Sequence, residues 1–400
     1  MKKLISCIFC IAIIAILFSC AGEKKDVLYQ IPLETKVKDC SIIFSRDGEH
    51  FAFIKEGTEG EAVIYNGNTD KTYLIIDALC LSPDGTHYAY LATDGKSEIV
   101  VKDGEEIAHY KSKTIIRRDK EFKTIQLLND GSVIYTKKEP KNMKKVYKNN
   151  KPIDASPYSS KPEVSKNGNH LLFWSIDGTG DYLVFDGKKK KIKDIPFFLA
   201  ISGDGKHYGA IIREGKNKNA VLIDGAVKIS FDSKNSVVLF ALSEKGEHYV
   251  LVQNDRASGD LKIKYDGVIV YSASDIFTNS ISFSEDDLHY ALVIFKPPMN
   301  KAGLLFDGKE IPSFDPNFST INECFKEGRP LVFDPTGTRL LYIAGSGTNQ
   351  IVALDQKVQI RFDLYNTEVY QQYFSSEKEI SCLIHDRINK QIVRVRKTLQ

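Results

Sequence analysis

The segment Ser82-Pro83-Asp84-Gly85-Thr86-His87-Tyr88-Ala89-Tyr90 recurs along most of the 400 residues, and no other feature limits the fold as much. Copies read SRDGEHFAF from Ser45, SKNGNHLLF from Ser165, SGDGKHYGA from Ser202, SEKGEHYVL from Ser243 and SEDDLHYAL from Ser284. Weaker forms stand at Asn129 (NDGSVIY), Asp334 (DPTGTRLLY) and Ser375 (SSEKEISCL). Aligning the glycine slot gives positions 48, 85, 131, 168, 205, 246, 287, 337 and 378, of which only Asp287 and Lys378 are not glycine. The period is close to 40, which belongs to propeller and solenoid arrays.

A second turn follows each of the first eight at 19 to 21 residues: Asn66-Gly67, Asp103-Gly104, Asn149-Asn150, Asp186-Gly187, Asp224-Gly225, Asp266-Gly267, Asp307-Gly308 and Asp355-Gln356. Between the turns the residues alternate or run apolar over strand lengths, and no helical periodicity competes. Around Gly85, residues 78–81 read as a first strand and 87–92 as a second, apolar on both faces. Ile99-Val100-Val101 reads as a third, and its Asp103-Gly104 hairpin returns into a fourth.

Four strands repeated radially make a blade, so the expectation is an all-β propeller of about nine four-stranded blades, or eight if the copy at 131, which lacks the Ser and His, is irregular. The last unit offers three strands, 369–374, 380–385 and 391–397. A lone strand at 27–33 has no hairpin partner, so the N-terminal strand is expected to complete the last blade.

The copies resemble the WD40-like, TolB-type propeller repeats of bacterial envelope proteins, with the core F-S-P-D-G-x-x-[IVY]-A-[FY], over residues 27–400. That resemblance implies the fold; propellers of this kind host unrelated activities.

Lys2 and Lys3 precede an apolar run over residues 4–19, short for a membrane-spanning helix of about 20 residues. It stops at Leu17-Phe18-Ser19-Cys20-Ala21-Gly22, which is similar to a bacterial lipobox, although Phe18 is larger than usual there. Residues 1–19 are therefore expected to be a lipoprotein signal, Cys20 the lipidated residue, 20–26 a tether and 27–400 one domain; the alternative is an uncleaved N-terminal anchor. Both place the folded part outside the inner membrane.

Without Lys2 and Lys3 the net charge falls from +3 to +1, which offers no electrostatic footprint for nucleic acid. Cys40, Cys80, Cys324 and Cys382 remain after the leader, too few and too irregular for a disulfide scaffold. They read as buried thiols, with room for one bridge.

Six of eight histidines (His50, His87, His170, His207, His248, His289) share one slot. On successive blades they cannot converge on a metal, so each is expected to hydrogen-bond near its own turn's Ser and Asp. No G-x-S-x-G or H-E-x-x-H is present, and the innermost strands read apolar (Ile42-Ile43-Phe44, Leu79-Cys80-Leu81), with Glu163, Gln371 and Gln372 as exceptions. The reading is a monomeric, non-enzymatic, cofactor-free scaffold for an envelope protein or glycan. The alternative is an envelope hydrolase or lyase.

Both turns of a unit should lie on one rim. The opposite rim then carries the connections of variable length, notably 112–123, 295–302 and 312–329, and loops on a rigid scaffold are where binding concentrates. Arg117, Arg118, Phe295, Pro297, Pro298 and Phe318 are the candidate partner-binding residues of that rim. A basic run, Lys137, Lys138, Lys141, Lys144, Lys145 and Lys148, is a second candidate surface, for anionic lipid or glycan.

Overall fold

The structure, a computed structural model, describes residues 23–111, 125–139, 143–296, 301–311, 331–346, 349–363 and 365–399. In the unit of Gly85 the strands run Ile75–Leu81, Tyr88–Thr93, Ser97–Lys102 and Glu105–Lys111, each antiparallel to the next. Ala89 and Tyr90, adjacent on the second strand, are both fully buried. Each faces a different neighbour: Tyr90 packs with the unit of Gly48 and Ala89 with the unit of Gly131. A strand covered on both faces must be apolar on both, which is why the second strand loses the usual in–out alternation. Among the described residues the one helical turn is Thr278–Ser280.

Hydrogen bonding joins the strands into eight sheets, five of four strands, two of five and one of nine. The nine-stranded sheet carries two repeat units, those of Gly131 and Gly168, linked by a single parallel residue pair, Lys144 with Tyr158. In the five-stranded sheets the innermost strand is broken in two. Lys36–Val37 and Ile43–Phe44 both pair with Phe51–Gly57, and Asp275–Ile276 and Ser282–Phe283 both pair with Tyr290–Lys296.

Among the described residues, nine apolar clusters each draw on two successive repeat units and follow one another in a circle. One joins Leu341 and Val352 to Val369, Ile384 and Val395 of the final sheet. The next joins Ile392 of that sheet to Ile42, Phe51, Phe53 and Ile64 of the first unit. The fold is a β-propeller whose ends meet.

The meeting is covalently economical: the final sheet has the order Glu23–Gln30, Gln391–Thr398, Glu379–Asp386, Thr367–Ser376. The N-terminal strand supplies its outer edge, with Lys25 opposite Val395 and Val27 opposite Val393. It begins at Glu23, four residues earlier than the expected tether boundary, and ends at Gln30. Glu-Lys-Lys-Asp reads as a solvated tether, but an outermost strand faces water and tolerates charge. Asp26 pairs with Arg396, and Glu23 lies 3.9 Å from Lys397.

Cys40 is disulfide-bonded, with its partner outside the described residues; Cys80 and the buried Cys382 are thiols. Cys324 also lies outside them.

Candidate functional site

Both turns of each unit emerge at one rim, where a repeated network fixes them. In the unit of Gly85, whose φ of 73° suits glycine, Ser82 Oγ donates to Asp84 Oδ1 at 2.5 Å. The N–H groups of Thr86 and His87 then donate to Asp84 Oδ1 and Ser82 Oγ. The histidine ring reaches further than its own turn. His87 Nδ1 donates to Asp103 Oδ2 of the second turn at 2.7 Å, while Asp103 Oδ1 accepts from Tyr88 N–H at 2.9 Å. His170, His207, His248 and His289 make the same bond to Asp186, Asp224, Asp266 and Asp307 at 2.6–2.7 Å. At His50 the acceptor is replaced by Asn66, whose amide donates to Nδ1. The expectation of a ring bonded within its own turn is thus corrected: the backbone N–H serves the serine, and the ring ties the first turn to the second, 16 to 18 residues away.

A hydrogen bond to a carboxylate as exposed as that of Asp103 is screened by water and is worth about 1 kcal/mol net. Replacing His87 by Ala should therefore lower stability by about that amount, measured by urea unfolding, with no change in metal content by elemental analysis. Among the described residues no three or more His, Cys, Asp or Glu side chains gather in a metal-binding group.

The turn carboxylates carry a pH dependence. The Ser284 hydroxyl and the Leu288 N–H hold the Asp286 carboxyl below its ordinary range. At Asp84 burial opposes ionisation, but bonds from Ser82 and Thr86 outweigh it and the net shift is also downward. A depressed carboxyl stabilises the fold fully above its unfolded value of about 4 and loses that contribution as the pH falls through the folded value. The melting temperature should therefore drop as the pH is lowered below about 4, by scanning calorimetry.

The two departures from glycine and aspartate in consecutive copies explain each other. The turn SEKGEH has Lys245 where six other copies have Asp or Asn, and the next copy, SEDDLH, has Asp287 in the glycine slot. At most of the glycine slots a side chain would run into the preceding unit: a Cβ on Gly85 would sit 2.4 Å from Ser45 Cβ. Asp287, at φ 70° and 1% exposed, points into the turn that lacks its own carboxylate. There it accepts from Ser243 Oγ at 2.5 Å, Lys245 N–H at 2.8 Å and Glu247 N–H at 3.3 Å.

The innermost strands enclose a central cavity of about 1270 Å³, lined by apolar side chains such as Ile43, Leu81, Val164 and Val332 and by polar and charged ones that include Gln126, Gln371, Arg46, Glu379, Arg394 and Arg396. At the turn rim its mouth is crossed by contacts that link the closing unit, the first unit and the units of Gly168 and Gly246. Gln371 Nε2 donates to the Arg46 carbonyl, Arg46 Nη1 to the Lys166 carbonyl, and Lys166 pairs with Glu244. Burial pushes the Glu163 carboxyl up. The smaller cavity it lines, about 260 Å³, presents Lys166 and apolar side chains such as Leu199 and Ala241.

The opposite rim exposes Leu33, Leu74, Tyr158, Phe197, Tyr365 and Ile388, whereas among the described residues Leu288 is the one large apolar side chain exposed within a turn, with Val227, Val268 and Ile269 exposed on outer strands just after the second turns. Each of the six lies before a first strand or beside a second–third connection. Phe197 is flanked by the Arg213 guanidinium, 5.9 Å from the ring centre. None of these was singled out from sequence, although their positions relative to the repeat were readable.

Of the rim residues that were, Phe295 is half-buried and packs against the core cluster shared with Leu331 and Tyr342. Arg117, Arg118, Pro297, Pro298, Phe318 and Cys20 lie outside the described residues. In the basic run, Lys137 stands over the rings of Tyr110 and Tyr147 at 4.3 and 5.3 Å. Lys141 lies outside the described residues.

No protein-family model matches the chain, and no curated protein matches it in sequence. Among solved structures it is similar to a eukaryotic initiation factor, at 11% identity and a TM-score of 0.52 over 84% of this chain and 90% of that one. It is also similar to the Dos1 propeller (11% identity, TM-score 0.41, covering 94% and 95%). A third likeness is to the WD40 domain of SCAP from fission yeast (8% identity, TM-score 0.42, covering 94% and 98%). At such identities the likeness concerns the fold alone.

Proposed function

We propose that the chain is a lipid-anchored, extracytoplasmic propeller of the TolB-like kind, monomeric and without cofactor or catalytic activity, that serves as a binding scaffold in a bacterial envelope. In this reading residues 1–19 are the signal, Cys20 carries the lipid, and the loop rim receives a protein. One observation carries the choice of face: among the described residues six large apolar side chains are exposed at the connections of the loop rim, whereas one, Leu288, is exposed within the turns, and Val227, Val268 and Ile269 lie on outer strands beside them. Exposed apolar groups grouped on one face mark interaction surfaces. Leu33, Leu74 and Ile388 are aliphatic, which favours burial against protein over the polar face of a sugar. The disulfide at Cys40 supports an oxidising compartment.

The test is photo-crosslinking in cells from Phe197 and Tyr365 on the loop rim and from Leu288 on the turn rim. The expected result is one common protein adduct from the first two and none from the third. Equal crosslinking from Leu288, or adducts to glycan alone, would remove the reading.

A further inference from the structure

We infer that the rim of the two short turns faces the bilayer, so that the loop rim projects away from it. The inference rests on the lipid-anchor reading and asks which way round an anchored propeller must stand. The N-terminal strand begins at Glu23 opposite Lys397, and Leu399 N–H donates to the Lys378 carbonyl in the first turn of the closing unit. The strand then runs toward the second–third connection of that unit, where Ile31 N–H donates to the Lys390 carbonyl at 2.8 Å. The described chain therefore enters the fold at the turn rim.

Lengths decide the orientation. From Cys20 to Glu23 is three Cα steps, which span at most about 11 Å when fully extended. Lys378 and Ile388 bracket the strand Glu379–Asp386, whose eight residues at about 3.3 Å each separate the two ends by about 23 Å. A lipid on Cys20 can bring the Lys378 end to the headgroups, but it is too short to let the Ile388 end rest there. Had the ordered chain begun at residue 27, the extra four residues would have allowed either orientation. The pairing of residues 23–26 removes that freedom.

The test uses the chain beginning at Cys20, ligated through its N-terminal cysteine to a thioester-bearing phospholipid and held on phosphatidylcholine vesicles that contain a nitroxide-headgroup lipid. A fluorescent residue replaces either Lys378 or Ile388, both exposed and in the same blade as the anchor. The expected result is loss of fluorescence at 378 and none at 388, with the difference abolished by a long Gly/Ser insertion between Ala21 and Gly22. Equal loss at both sites, or greater loss at 388, in the chain without the insertion would overturn the orientation. Fatty-acid labelling in cells, compared between the natural chain and Cys20→Ser, tests the anchor separately. Absence of label on Cys20 sinks the anchor reading and the orientation with it, whereas label together with equal quenching sinks the orientation alone.

Discussion

A chain lacking residues 23–30 is expected to melt far below the intact domain and to aggregate, whereas one lacking only residues 21–22 keeps its melting temperature and stays monomeric. Deletion of the N-terminal strand leaves Gln391–Thr398 as an open edge carrying Ile392, Val393 and Val395. Open edges of this kind pair with other chains. It also removes Tyr29, whose ring centre lies 5.8 Å from Phe51 and 6.0 Å from Phe53, and Leu28, which packs against the same cluster. Ile31, 1% exposed, loses the strand that positions it. Burial of side chains of this size is worth about 1.5–3 kcal/mol each, so the loss of about 5 kcal/mol or more rivals the whole stability of a typical domain.

Shortening by residues 23–26 alone should cost about 1–2 kcal/mol, since it removes four ladder pairs and an ion pair, Asp26 with Arg396, that is too exposed to add much. Calorimetry and light scattering of the unlipidated domain measure all three. If loss of residues 23–30 changed neither melting temperature nor monomer fraction, the ends would not be holding each other.

The second large effect is expected at Asp287. Replacement by Ala strands three donors in a closed turn, Ser243 Oγ and the N–H groups of Lys245 and Glu247. Bonds to a charged acceptor are worth about 1.5–3 kcal/mol each and stranded buried donors cost about as much, so a loss of about 3–5 kcal/mol is expected. Lys245→Asp alone should also destabilise, because two carboxylates would then compete for one serine. The pair Lys245→Asp with Asp287→Gly rebuilds the turn found in the other units and should recover most of the loss. A double-mutant cycle by urea unfolding reads the coupling directly. Additive effects of the two substitutions would show that the carboxylate is not shared across the units.

These two sites also mark where sequence reading succeeds and where it stops. The turns at Gly85 and Asp103 were legible because their chemistry is local: a glycine at positive φ, an Asp bonded two residues on, a two-residue hairpin. Tyr88-Ala89-Tyr90 was legible as a strand covered on both sides because burial on two faces forces an apolar run. Asp287 was legible only as a departure from glycine, since its relation to Lys245 spans 42 residues and exists only where two turns touch. The ring partners of the histidines were missed for the same reason, at 16 to 18 residues. Glu23–Asp26 was missed because an edge strand and a solvated tether share a composition. Leu74, Phe197 and Ile388 were not legible as rim residues because they sit in short connections, where an apolar residue reads as part of the adjoining strand or turn.

The closing sheet has a consequence for the order in which the chain can fold. Lys25 finds its place only against Val395, so a contact between the two extremes of the chain must wait until the last strand exists. Contacts this distant in sequence are slow to form. Each unit after the first can dock on the one before it as it emerges, but the strand that leads the chain has to stay unpaired through that whole time. If the chain crosses a membrane from its N-terminus, the first segment to arrive is the last to be secured. An edge kept waiting in that way is where a holding chaperone would be needed, and its charged start, Glu-Lys-Lys-Asp, keeps that edge soluble meanwhile.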